Sequence, residues 1–238
     1  MTDQPHALKQ FDTDLDAVRS SVLAMGGLAE QQIRTALEAF NSGDLAAAAR
    51  VIENDWRVNA MEVGIDEERA TVIARRHPTA GDLRLLIAIG RIITDLERTG
   101  DEAAKIARMA QLIHASPAPA ALPPIAVDCM ADIALGMLQR ALDALARFDP
   151  SVAAAVHRQD EQVDDQYRST IRQTLAIMMQ EPDSVTTCMR ILFIAKAIER
   201  IGDHAKNIAE HVVYLVYGND VRHANFEDIQ VETTGETR

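Results

Sequence analysis

The segment DLERTGDEAAKIAR, from Asp95 to Arg108, is written a second time as AIERIGDHAKNIAE, from Ala197 to Glu210. Glu97, Arg98, Gly100, Asp101, Ala103, Ile106 and Ala107 recur as Glu199, Arg200, Gly202, Asp203, Ala205, Ile208 and Ala209, all at one offset of 102 residues. Two copies of one pattern must fold as two copies of one unit, so the repeat constrains this chain more than any other feature. The unit is helical. Alanine- and leucine-rich sequence laced with charge, with only 4% aromatic residues, favours helix almost throughout.

Turn residues divide the chain into three helices, a break and three more helices. Helices are expected from about Ala7 to Phe40, Leu45 to Arg76 and Asp82 to His114, separated by Asn41-Ser42-Gly43-Asp44 and by a turn holding Pro78 and Gly81. The stretch ASPAPAALPP, Ala115 to Pro124, carries four prolines, which forbid a continuous helix. Beyond it, helices are expected from about Ile125 to Phe148, Ser151 to Gln180 and Ser184 to Tyr217. Short turns between long helices make neighbours antiparallel. The expected fold is therefore all-α, two pseudo-repeated three-helix bundles built from six long helices. Its parts are a first bundle over 1–116, a Pro-rich linker over 117–124, a second bundle over 125–217 and a flexible acidic tail over 218–238.

Bulk properties exclude several functions. The net charge of −12 repels phosphate backbones and anionic lipid, and no dense run of Lys and Arg reverses it, so neither direct nucleic-acid binding nor membrane insertion is expected. No apolar run is long enough to span a bilayer and the N-terminal residues do not resemble a signal peptide, which points to a cytoplasmic protein. Cys129 and Cys188 lack zinc-site spacing and are expected to be reduced core residues.

The repeated motif also carries a candidate site. Residues four apart share a helix face, so Glu97 stacks on Asp101 and Glu199 on Asp203, each a like-charged pair. On helix 2, Asp55, Asn59, Glu62 and Asp66 form a polar stripe, beside an apolar one expected through Trp56, Ala60 and Val63. On helix 5, Asp160 and Asp164 are again four apart. Folding each pair of helices back at its turn sets Asp101 level with about Val58, Glu97 with about Glu62, Asp203 with about Gln162 and Glu199 with about Gln166. Gly100 and Gly202 fall nearer the buried face, where a missing side chain lets a neighbouring helix approach.

Two readings of these carboxylates stand side by side. They are either solvated helix faces, with Arg98, Lys105 and Lys206 as surface ion-pair partners, or sites for a hard cation such as iron, zinc or magnesium held by oxygen ligands. His204 is expected to face another side of its helix, and the Glu-x-x-His pairs of di-iron carboxylate proteins do not occur. Arg84, Arg98, Arg200 and Lys206 do not look like a phosphate-binding cluster, since no Gly-rich loop at a helix N-terminus gathers them. An alternative reading keeps the chain as a carboxylate-bridged metal-binding bundle, either a ferritin-like redox enzyme or a metal store.

The doubled spacing ERxGDxAxxIA resembles the PhoU family of phosphate-signalling proteins. So do HPTAGDLRLLIAIGRIITDLERTGDEAAKIAR and FDTDLDAVRSSVLAMGGLAEQQIRTAL in the first half, and MRILFIAKAIERIGDHAKNIAEHVVYLVYG in the second. The resemblance covers nearly the whole chain up to Gly218. It implies a cytoplasmic helical adaptor, often dimeric and not an enzyme, that represses the phosphate-starvation response. Its implied partners are the ATPase subunit of a high-affinity phosphate ABC transporter and a PhoR-type sensor histidine kinase. It further implies multinuclear iron or zinc bound through Glu97 and Asp101, and through Glu199 and Asp203 opposite Asp160 and Asp164. Asn59 departs from that pattern where an Asp would follow Asp55, so the first site is expected to be the weaker or the empty one.

Overall fold

A computed structural model describes residues 4–115, 123 and 125–221, with side chains from Phe11 onward. The helices are α1 (Gln4–Ser42), α2 (Leu45–Arg76), α3 (Ala80–His114), α4 (Asp128–Arg147), α5 (Ala153–Gln180) and α6 (Val185–Tyr217). No strand occurs among the described residues. The Pro-rich segment expected over 117–124 lies, apart from Pro123, outside the described residues, as does the tail from residue 222.

Local chemistry sets the helix ends. The Asp44 carboxylate accepts from the Ala47 N–H at 2.9 Å and caps α2, satisfying one of the donors a helix start leaves free. Gly218, at φ 81°, closes α6 with its N–H on the Tyr214 carbonyl, a left-handed geometry that glycine adopts at no steric cost. The sequence starts α3 at about Asp82, but the helix begins two residues earlier, at Ala80, with Thr79 at the cap position. Helix α4 likewise starts at Asp128 rather than Ile125. A 3-10 turn over Pro150–Val152, opened by Asp149 accepting from the Ser151 N–H at 3.0 Å, takes the expected first residues of α5.

Within each half the hairpin packs where glycine permits it. A Cβ at Gly100 would lie 3.3 Å from Val58 Cγ1, and one at Gly202 would lie 3.5 Å from Val163 Cγ1. Both valines are fully enclosed. The antiparallel register of α2 with α3, and of α5 with α6, thus falls within a residue of the sequence expectation.

One expectation about α2 fails. Its enclosed residues include Val51, Val58, Ile65 and Val72, a strict seven-residue seam, whereas Trp56 is 64% exposed and Val63 58% exposed. The stripe through Trp56, Ala60 and Val63 faces outward because α2 packs only on the narrow seam, as a coiled-coil helix does. Cys188 is buried as expected, and Cys129 is exposed.

The two bundles do not sit apart. Helices α3 and α6 lie against each other along their lengths, α1 also reaches α4, and a single apolar core runs from Val18 through Leu96 and Leu138 to Val213. Helix α3 is consequently covered on two sides, by its own bundle and by α6.

Candidate functional site

The carboxylates singled out by the repeat do gather on the α2/α3 and α5/α6 hairpins. Counting from Val58 and Val163 pairs Asp55 with Asp160, Asn59 with Asp164 and Glu62 with Tyr167 in equivalent places. In the first half, burial raises the pKa of Glu97 above the usual glutamate value, and the nearby charges of Asp101, Glu62 and Asp55 push it further. Burial and the charge of Asp101 likewise raise Asp55. Asp55 Oδ1 is shielded from water and accepts no hydrogen bond from the described residues, an expensive condition for a carboxylate oxygen. Glu62 is steadied by Thr94 Oγ1, which donates to it at 3.0 Å.

The second half keeps three of these carboxylates in equivalent places, Asp160, Glu199 and Asp203, but also holds lysines. Lys196 Nζ donates to both oxygens of Glu199, at 2.6 and 2.5 Å. Lys206 donates to Asp160 across the hairpin and to Asp203 at 3.3 Å. Burial raises Asp160 and Glu199 even so, with Lys206 and Lys196 respectively pulling the other way. Asp164 sits at the rim, 3.7 Å from Arg168. At the repeat offset, Lys196 and Lys206 correspond to Thr94 and Ala104 in the first half, so no lysine stands at the equivalent positions beside the first cluster.

These residues share surfaces, but among the described residues no three Asp, Glu, His or Cys side chains converge closely enough to ligate one ion. The donor chemistry, all carboxylate oxygen, suits a hard cation. Carboxylate repulsion acts in both clusters, on Glu97 and on Glu199 and Asp160, but the orphaned oxygen of Asp55 belongs to the first. There Asp55, Glu62, Glu97 and Asp101 are the residues available to hold such an ion.

Sequence reasoning missed a third group, buried between the halves. Asp95 of α3 is enclosed, and its Oδ1 receives His204 Nδ1 at 3.0 Å and Asn207 Nδ2 at 3.1 Å, while Oδ2 lies 3.4 Å from His211 Nε2. Burial opposes the charged form of Asp95, but the hydrogen bonds from His204, His211 and Asn207 outweigh it and hold the pKa at about 2. Two turns further along, the buried Glu102 is met by Arg200 Nε at 3.0 Å and Lys105 Nζ at 2.8 Å. Asp95, Thr99 and Glu102 fall at i, i+4 and i+7 on the flank of α3 that meets α6, where His204, Asn207 and His211 lie, and spacing on one helix does not mark that flank as buried. Arg200 and Lys206 are both committed to carboxylates, so the basic residues Arg84, Arg98, Arg200 and Lys206 do not assemble into one cluster.

A doubled three-helix bundle with an acidic hairpin face on each half defines a class of repeat-built helical protein. Comparison with known proteins gives that class its family. The sequence model of the PhoU domain matches residues 22–110 and again 127–212. The chain belongs to the PhoU family. It is 42% identical over 231 residues to the phosphate-specific transport system accessory protein PhoU homolog of Pseudomonas putida, covering 97% of this chain and 90% of that one. It is 39% identical to the accessory protein PhoU of Escherichia coli (strain K12), covering 94% and 92%. The crystal structure of PhoU from Pseudomonas aeruginosa superposes with a TM-score of 0.82 at 42% identity, covering 88% of this chain and 100% of that one. The phosphate transport system regulatory protein PhoU from Streptococcus pneumoniae superposes with a TM-score of 0.80 at 31% identity, covering 89% and 99%.

Proposed function

We propose that the chain is a cytoplasmic adaptor, not an enzyme, that represses the phosphate-starvation response when phosphate is plentiful. In this reading it couples the ATPase subunit of a high-affinity phosphate ABC transporter to a PhoR-type sensor histidine kinase, and it works as a homodimer. The observation that supports it is full-length similarity, through both repeats, to proteins named as accessory to the phosphate-specific transport system. No helix among the described residues is long and apolar enough to cross a membrane, so contact with a transporter would run through its cytoplasmic subunit. The acidic hairpin faces offer basic partner surfaces a matching potential.

Deleting the gene tests this reading. Alkaline phosphatase should become constitutive at high phosphate, and restoring the chain should repress it again. A deletion strain that still represses the enzyme sinks the adaptor reading.

We further propose that the first cluster, Asp55, Glu62, Glu97 and Asp101, binds a hard metal cation, with iron or zinc ahead of magnesium. A bound cation would neutralise the repulsion around Glu97 and change the local charge that a partner meets. The sequence pointed to the first site as the weaker because of Asn59, but the lysines of the second half favour the reverse order. Lys196 and Lys206 already supply positive charge to Glu199, Asp203 and Asp160, and a cation there must displace them. Metal analysis of protein purified without chelator checks this. Asp101→Ala should lower the metal content more than Asp203→Ala, and metal content indifferent to both substitutions refutes it.

A further inference from the structure

Beside Asp95 the seam between α3 and α6 opens into a cavity of about 400 Å³, lined by Arg91, Thr94, Asp95, Arg98, Asn207 and His211. Three of its groups are set up for an occupant. His211 is only 4% exposed, and its Nδ1 is buried with no hydrogen-bond partner. Arg91 Nη1 is likewise shielded from water and donates no hydrogen bond, with its ion-pair partner Asp220 held at 3.7 Å while the guanidinium rests over the Tyr214 ring at 5.4 Å. The exposed Arg98 stands at the mouth.

The one negative group in the wall is already saturated. Asp95 takes His204 and Asn207 on one oxygen and His211 on the other. An incoming ligand therefore meets two guanidinium groups and the outer nitrogen of an imidazole.

The polarity of that nitrogen follows from the Asp95 contact. Because His211 Nε2 faces a carboxylate, the ring proton of the neutral form sits on Nε2, which leaves Nδ1 with a lone pair. The complementary ligand carries several acceptor oxygens for Arg91 and Arg98 and one O–H to donate to His211. We propose that this cavity binds a protonated tetrahedral oxyanion, either inorganic phosphate or the terminal group of a phosphate monoester. Sulfate, fully deprotonated at neutral pH, has the shape but not the O–H. The ligand would touch both halves at once, since Arg91 and Arg98 belong to α3 and Asn207 and His211 to α6. The site stands apart from the adaptor reading, which survives if the cavity proves empty.

Titration calorimetry on the full-length chain in phosphate-free buffer is the test, with inorganic phosphate, sulfate and AMP as separate titrants. Phosphate or AMP should bind once per chain, and sulfate at least about tenfold more weakly, the loss expected for one unmade hydrogen bond to a buried group. Phosphate binding assigns the free ion, and AMP binding without phosphate assigns the monoester. Arg91→Ala and Arg98→Ala should each weaken binding by about tenfold or more. Arg98 is exposed, so its variant should melt like the parent and isolate binding from folding. The proposal is overturned by absence of heat with both phosphate and AMP up to about 10 mM, by sulfate binding as tightly as phosphate, or by affinity unmoved in both arginine variants.

Discussion

The two hairpins share three carboxylates in equivalent places, Asp55, Glu97 and Asp101 against Asp160, Glu199 and Asp203, and cope with them differently. In the second, lysines from α6 reach Glu199, Asp203 and Asp160, so the repulsion is partly offset within the fold. In the first, Thr94 and Ala104 stand at those lysine positions, Asp55 keeps a shielded oxygen with no partner, and Glu97 is held above its usual pKa. Duplication preserved the acids but not their neutralisation. One copy pairs its acids directly with lysines, and the other has only the longer-range charges of Arg98, Lys105 and Arg108.

The largest effect should come from removing that internal counter-charge. Lys206→Ala strands the buried Asp160 and should lower stability by about 2–3 kcal/mol in urea unfolding, whereas Lys105→Ala, which leaves the buried Glu102 its partner Arg200, should cost well under half of that. Equal losses would erase the contrast.

Acid sharpens the comparison next. A carboxylate whose folded pKa is raised, as for Glu97 and Asp55, destabilises the fold at neutral pH, and the penalty is relieved as pH falls through that raised value. Asp95, at about 2 against an ordinary 3.8, has the opposite sign: its contribution is complete above pH 3.8 and is lost as pH falls through 2. That loss amounts to about 2 kcal/mol. Unfolding curves taken down the pH scale should rise slightly and then fall, and in Asp95→Asn the final fall should shrink.

A smaller test uses the glycines. Gly100→Ala presses on Val58 at 3.3 Å, while Gly202→Ala meets Val163 at ordinary contact distance, 3.5 Å. Helix propensity favours both changes by up to about 1 kcal/mol, so Gly202→Ala should be neutral or stabilising and Gly100→Ala should fall below it. The smallest effects belong to the exposed acids. Without metal, Asp101→Asn should stabilise by a few tenths of a kcal/mol by relieving Glu97, and Asp203→Asn should do the reverse by weakening Lys206.

The helices, their turns and the hairpin register were legible because Pro, Gly and Asn punctuate the sequence and because Gly100 and Gly202 mark close approach. Much of what governs the acidic faces was not. Lys206 reads as a neighbour of Asp203 on one helix, and only tertiary packing shows it crossing to Asp160. Asp95 and Glu102 were hidden because a helical wheel assumes one buried face. Helix α3 has two, and polar residues on the second are invisible until α6 is in place. Trp56 misled for the opposite reason, since a seven-residue seam leaves large apolar side chains outside.

Both acids buried between the halves, Asp95 and Glu102, come from α3, and their partners on α6 are His204, Asn207, His211 and Arg200. Two copies of the first half, pressed together through α3, would confront anion with anion across a buried interface. Two copies of the second would confront base with base. Each half thus has a charge-matched mate in the other half of its own chain, and a gene cut at the prolines should yield fragments that find each other and shun themselves.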